Sequence, residues 1–149
     1  MALSIAIVED NIEDQKTLIT FLHQYEKENN QVFEVSLFDN GQKLISELSK
    51  DFDLVFMDIL MPLENGFEVS KEIRRQHFSG QIVFVTNMVQ FAIMGYEVDA
   101  LAFLVKPISY FQFENIMKKA VKKISLMNSQ DFIIINKSGG GNYWLKKYL

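Results

Sequence analysis

Three short runs, residues 53–57, 81–85 and 101–105, are apolar at nearly every position. A strand with one wet face alternates, whereas a strand covered on both faces reads as an unbroken apolar run. These three are therefore expected as central strands of a parallel sheet with helices on either side. A short apolar run at 4–8 adds a fourth strand. A fifth, at 32–38, places Phe33, Val35 and Leu37 on one face and Glu34 and Ser36 on the other, as a half-exposed edge would. Helical spacing fills the intervals. Gln15, Leu18, Ile19, Leu22 and Tyr25 form one stripe over 12–28, and Leu44, Ile45 and Leu48 mark a short second helix after the Asp39-Asn40-Gly41 turn. Val69 and Ile73 belong to a third over 65–77, and Phe91, Ala92 and Tyr96 to a fourth over 88–98. After Pro107, the residues Phe113, Ile116, Met117, Ala120, Val121 and Ile124 make a fifth apolar stripe, opposite Lys118, Lys119, Lys122 and Lys123. Right-handed crossovers then require an open, doubly wound α/β sheet, since five units are too few to close a barrel.

Such a sheet needs a core on both faces. The chain has 149 residues, of which 48% are hydrophobic and 13 are Phe, enough for one self-sufficient domain. Its 15 basic against 19 acidic residues give a net charge of -4, which argues against a chain that binds nucleic acid or anionic membranes over its whole surface. There is no Cys, so thiolate metal sites, disulfides and cysteine nucleophiles are excluded. Met1-Ala2-Leu3-Ser4 leads directly into a strand with no basic and apolar export leader, and no apolar stretch reaches the ~20 residues of a membrane span. A cytoplasmic protein with no membrane partner is expected.

The chemistry gathers where the strand-like runs stop. Glu9 and Asp10 follow the first, Asp58 the third, Thr86 the fourth and Lys106 the fifth. In an open parallel sheet the carboxyl ends of the strands line the ligand crevice, so these five side chains are expected to converge. Three adjacent carboxylates repel one another unless something positive compensates. A hard divalent cation does so, and Mg²⁺ favours one or two carboxylates together with waters and a substrate phosphate oxygen. Asp58 can then act as a nucleophile on phosphorus. Lys106 offers a compact positive charge and Thr86 a hydroxyl, both expected to meet the phosphoryl group rather than the core. Taken singly, each residue has a plainer reading: a capping turn at Glu9-Asp10-Asn11, a helix cap at Thr86, a loop lysine at Lys106. Their joint placement at four strand ends outweighs these. His23 and His77 fall on helices away from the strand ends and are expected at the surface.

Glu9-Asp10-Asn11, the segment from Met57-Asp58-Ile59-Leu60-Met61-Pro62 to Asn65-Gly66, Thr86, and Phe103-Leu104-Val105-Lys106-Pro107 resemble, in order and spacing, the receiver domain of bacterial two-component response regulators. The resemblance covers residues 3 to about 127. It implies a flavodoxin-like five-stranded sheet of order 2-1-3-4-5. It further implies that Asp58 accepts a phosphoryl group from a sensor histidine kinase, that Glu9, Asp10, Asp58 and the Leu60 carbonyl organise Mg²⁺, and that Lys106 contacts the phosphoryl group. Thr86 and Phe103 match the hydroxyl and aromatic switch positions. Homodimerisation through the fourth helix, fifth strand and fifth helix is the implied output. Phe103 stands where Tyr is common, and Asn87 where Ala often follows the hydroxyl residue.

The composition changes near Asn128. Residues 1–127 are expected as the receiver domain and 128–149 as a linker and β-hairpin, joined through Lys137-Ser138-Gly139-Gly140-Gly141-Asn142. The stretch from Phe132 to Leu145 looks like the opening hairpin of a LytTR-type DNA-binding domain, whose base-contacting loops would lie beyond Leu149. DNA binding, and hence control of transcription, is implied only if such a domain follows. The apolar Ile133, Ile135, Tyr143 and Trp144 are expected to seek cover on the receiver or a second copy. Other functions fit less well. A stand-alone receiver acting through protein contacts remains the main alternative. A haloacid-dehalogenase-type aspartyl-phosphate phosphatase would need a second Asp where Leu60 stands. A flavin site would be repelled by Glu9-Asp10, and no G-x-G-x-x-G follows the first strand. The chain is thus read as a phosphoacceptor that promotes its own phosphorylation and dephosphorylation, not as an enzyme acting on other substrates.

Overall fold

The computed structural model describes residues 2–129, 132–137 and 141–146. Five parallel strands, β1 (Leu3–Val8), β2 (Phe33–Phe38), β3 (Leu54–Met57), β4 (Gln81–Thr86) and β5 (Ala102–Val105), form one sheet in the order β2-β1-β3-β4-β5. This is the expected flavodoxin-like arrangement. Alternation along the buried strands divides the core in two. Ile5, Ile7, Leu54, Phe56, Val83 and Val85 face helices α1 (Ile12–Asn29) and α4 (Tyr110–Ser129), where Leu18, Leu22, Phe113 and Met117 meet them. Ala6, Val8, Val55, Met57, Ile82 and Phe84 face the other side, packing with Leu44 of α2 (Gly41–Ser46) and with Phe67, Val69 and Ile73 of α3 (Gly66–Arg75). The starts of α1, α2 and α3 are each set by a short polar side chain: Asn11, Asn40 and Asn65 accept the backbone N–H of Asp14, Lys43 and Phe67.

Two expectations are corrected. The fourth helix is a ten-residue 3-10 segment, Val89–Val98, instead of an α-helix. With three residues per turn the inward positions move, so Val98 and Gly95 are buried while Ala92 and Tyr96 are exposed; the Phe91 side chain lies outside the described residues. On β2, Val35 and Leu37 are exposed rather than buried with Phe33. This strand is the sheet edge, flanked only by β1, so cover reaches its ends at Phe33 and Phe38 and not its middle.

At the end of the chain, β6 (Phe132–Lys137) pairs antiparallel with β7 (Gly141–Lys146), Ile134 opposite Trp144, which is the expected hairpin. The expected cover for Ile133, Ile135, Tyr143 and Trp144 lies outside the described residues. His23 and His77 are exposed, His23 beside Glu26 at 2.9 Å. Among the described residues no helix is long and apolar enough to cross a membrane.

Candidate functional site

The parallel ladders run one residue past the strands. Glu9 N–H donates to the Phe38 carbonyl at 2.9 Å, Asp58 N–H to that of Val8 at 3.1 Å, and Lys106 N–H to that of Thr86 at 3.0 Å. Glu9, Asp58 and Lys106 are thus each held by the backbone of the neighbouring strand. Carboxylate oxygens of Glu9, Asp10 and Asp58 all lie within 4.8 Å of one another. Glu9 and Asp58 are 1% and 5% exposed, whereas Asp10 is open to solvent. Local hydrogen bonds fix Glu9 further: its Oε2 accepts Asn11 N–H at 3.2 Å, and its carbonyl accepts the Gln15 amide at 2.6 Å.

Lys106 supplies the positive charge from across the sheet. Its Nζ donates to Glu9 Oε1 at 2.7 Å, Asp14 Oδ2 at 2.8 Å and Asp58 Oδ2 at 3.1 Å. An ammonium has three donors, and here each meets a carboxylate. Burial draws the lysine down, but the hydrogen bonds to Asp14 and Glu9 and the charges of Asp58 and Glu9 outweigh it and raise its pKa. Beyond the expected contact with a phosphoryl group, Lys106 has partners in the unphosphorylated protein. In this state it is the counter-ion of two buried acids.

Glu9 feels the opposite balance. Burial pushes it from 4.5 up to about 7, with the Lys106 hydrogen bond opposing and the Asp58 charge adding to the rise. An acid whose pKa is raised on folding contributes stability that is fully present below the unfolded value and lost as the pH climbs through the folded one. In chelator, the wild-type protein is therefore expected to lose more stability than Glu9→Gln between about pH 4.5 and 7, which denaturant titrations at the two ends would measure. Parallel curves for the two proteins would show that Glu9 is not strained by burial.

The loop after β3 shapes the other wall. Leu60–Met61 and Glu64–Asn65 form a two-residue antiparallel ladder that turns the chain back, with Leu63 left-handed at φ 63° and fully exposed. Gly66 then passes so close to the Asp58 carbonyl that a Cβ would lie 1.7 Å from its oxygen. Leu60 itself is half-exposed at this ladder, two residues beyond Asp58. Thr86 is fully buried, and its Oγ1 accepts Met88 N–H at 3.3 Å. Phe103 is half-buried against Phe84, ring centroids 6.2 Å apart, beside a cavity of about 300 Å³ also lined by Gly95, Tyr96 and Ala100.

The structure thus brings Glu9, Asp10, Asp58 and Lys106 together, sets Thr86 beside them with its hydroxyl turned to Met88, and leaves Phe103 behind. It adds Asp14, which sequence reasoning missed. The hard oxygen donors and the compensating ammonium already among them fit a small divalent cation; Glu9, Asp10 and Asp58 would hold it.

Residues 5–120 match the response regulator receiver domain family. The sensory transduction protein LytT of Bacillus subtilis (strain 168) is 30% identical over 121 residues, covering 80% of this chain and 48% of LytT. The chain spans about half the length of the curated relatives it matches. Among solved structures, the receiver domain of the TMAO respiratory system response regulator TorR is similar with a TM-score of 0.68 at 26% identity, covering 82% of this chain and 98% of that one. The receiver domain of the sensor histidine kinase PA1611 from Pseudomonas aeruginosa PAO1, solved with magnesium coordinated in its active site cleft, shares the fold with a TM-score of 0.69 at 20% identity, covering 82% of this chain and 99% of that one. A family match over most of the chain, a sheet of the same order and carboxylates at the expected strand ends all agree: this chain belongs to the response regulator receiver family.

Proposed function

We propose that Asp58 accepts a phosphoryl group from the phosphohistidine of a sensor histidine kinase, and that Mg²⁺ held by Glu9, Asp10 and Asp58 is required. The observation that carries this reading is the meeting of those three carboxylates with the Lys106 ammonium at the carboxyl end of the sheet. When bound, the cation neutralises charge on the transferring phosphoryl oxygens. An Asp58 carboxylate oxygen attacks phosphorus, the phosphorus–nitrogen bond of the donor breaks, and the imidazole leaves with the electron pair and takes a proton from solvent. Lys106 redirects one N–H from Asp58 to a phosphoryl oxygen. The Leu60 carbonyl, on the turn after Asp58, is the further oxygen offered to the cation.

Thr86 and Phe103 carry the response. The Thr86 hydroxyl gives up Met88 N–H for the phosphoryl oxygen, and the cavity beside Phe103 gives its ring room to move. A modification shifts such an equilibrium only through contacts that differ between its two states, and these two side chains supply them. The output face is the 3-10 segment, β5 and α4, where Val89, Ile93, Tyr96, Val105 and Phe111 are exposed and suit a second copy of the chain. Residues 1–127 act as the receiver unit in the cytoplasm. If the chain continues past Leu149, residues 128–149 would begin a LytTR-type output module, a reading supported by the likeness to LytT, about half of which this chain spans. DNA control belongs to that longer form.

Incubation with acetyl phosphate or phosphoramidate and intact-mass measurement tests the reading. One phosphoryl group is expected on the wild type with Mg²⁺, and none with EDTA or on Asp58→Asn. Equal labelling of Asp58→Asn, or labelling indifferent to EDTA, would remove Asp58 or the cation from the mechanism.

A further inference from the structure

Lys106 holds three carboxylates, and two of them have other work if Asp58 is the phosphoacceptor, the reading on which the role of the third rests. Glu9 belongs to the cation cluster, and Asp58 receives the phosphorus. Asp14 is the third. Its Oδ2 lies 2.8 Å from Lys106 Nζ, between the distances of 2.7 Å to Glu9 and 3.1 Å to Asp58. It is not among the carboxylates that surround the cation position. Its own backbone N–H is held by the Asn11 cap at 3.0 Å, so it projects from the fixed first turn of α1. The two side chains also share the wall of a cavity of about 180 Å³ with Thr17, Leu18, Val85, Pro107 and Ile108, so the lysine stem is not clamped by packing on that side.

We propose that Asp14 is a positioning residue that keeps the Lys106 ammonium at the site once Glu9 and Asp58 are engaged by cation and phosphoryl group. A lysine head on a four-carbon stem loses little by wandering unless something holds it. With Asp14 in place, one N–H stays anchored to α1 while another points at the phosphoryl oxygen. Without it the lysine must be ordered during the reaction itself, which slows the transfer.

Asp14 also acts in the opposite direction, because its negative charge repels an anionic phosphodonor, and its removal would speed the reaction if that repulsion dominated. At 38% side-chain exposure the repulsion is screened by solvent, whereas the contact to Lys106 is direct. The two effects separate by donor charge, because repulsion weakens from the dianion acetyl phosphate to the monoanion phosphoramidate and positioning does not.

The test measures labelling rates at saturating Mg²⁺ in the wild type, Asp14→Asn, Lys106→Met and the double variant, with both donors. Asp14→Asn is expected to be slower with both donors alike, by about fivefold to tenfold, the scale of one partly exposed charge-assisted hydrogen bond. In the Lys106→Met background the same substitution should add nothing, since the residue acts through the lysine. A wild-type rate in Asp14→Asn, a rate increase confined to acetyl phosphate, or equal slowing in both backgrounds would each overturn the proposal. Absence of label on the wild type would overturn the phosphoacceptor reading beneath it.

Discussion

Gly66→Ala destabilises the protein by at least about 4 kcal/mol, enough to unfold a marginal domain. The Cβ it introduces would lie 1.7 Å from the Asp58 carbonyl oxygen, 2.7 Å from the carbonyl carbon and 3.0 Å from Ile59 Cα. All three are backbone atoms, so no side chain can swing aside. The Gly66 backbone is not left-handed, and space rather than conformation demands glycine here. Its N–H also donates to the Ile59 carbonyl at 2.7 Å, so moving the loop apart sacrifices that bond as well. Gly95→Ala is the control, because its nearest neighbour would be Ala100 Cβ at 3.4 Å, an ordinary contact. Denaturant midpoints of the two variants should differ widely; a Gly66→Ala protein as stable as the wild type would show that the Asp58 loop is not packed against α3.

Lys106→Met is expected to lower stability by roughly 3 kcal/mol or more at pH 8 in EDTA, because it leaves Glu9 and Asp58 buried without their counter-ion. The loss depends on pH in a fixed direction. Glu9 is raised to about 7 with the lysine present and rises further without it. Its stabilising share is therefore intact below about 4.5 and lost as the pH passes the folded value. The deficit should shrink toward about pH 5, where the carboxyl is protonated. Millimolar Mg²⁺ should restore part of it at pH 8, since a ligand of the native state alone stabilises by mass action. A variant as stable as the wild type at pH 8 in EDTA would mean that the ammonium compensates nothing.

The fold was legible because burial on two faces leaves little freedom of composition. Val55, Phe56 and Met57 had to be apolar together, and the same logic exposed β4. The site was legible for a related reason: once those runs were strands, Glu9, Asp58 and Lys106 had to lie at one edge. Asp14 was not. An acid in the first turn of a helix reads as a complement to the helix dipole, and its contact with Lys106 spans 92 residues and depends on how α1 sits on the sheet. The 3-10 winding at Val89–Val98 was equally hidden. Apolar positions at Phe91, Ala92 and Tyr96 suit an α-helix, and nothing local announces a tighter turn. The hydroxyl of Thr86 was assigned to the site by position alone; its hold on Met88 N–H comes from the turn after β4.

That tight winding has a consequence in length. Ten residues cover about 20 Å as a 3-10 helix and about 15 Å as an α-helix. Both flanking strands are pinned to each other, Val83 opposite Ala102 and Thr86 opposite Val105, so the sheet yields nothing. A difference of about 5 Å must be taken up in residues 87–88 beside Thr86 and 99–101 ahead of Phe103, where Asp99 is already left-handed at φ 53°. The segment is a tether between two fixed posts, and any rewinding to an α-helix would be felt first at the two joints that border the hydroxyl and the aromatic ring.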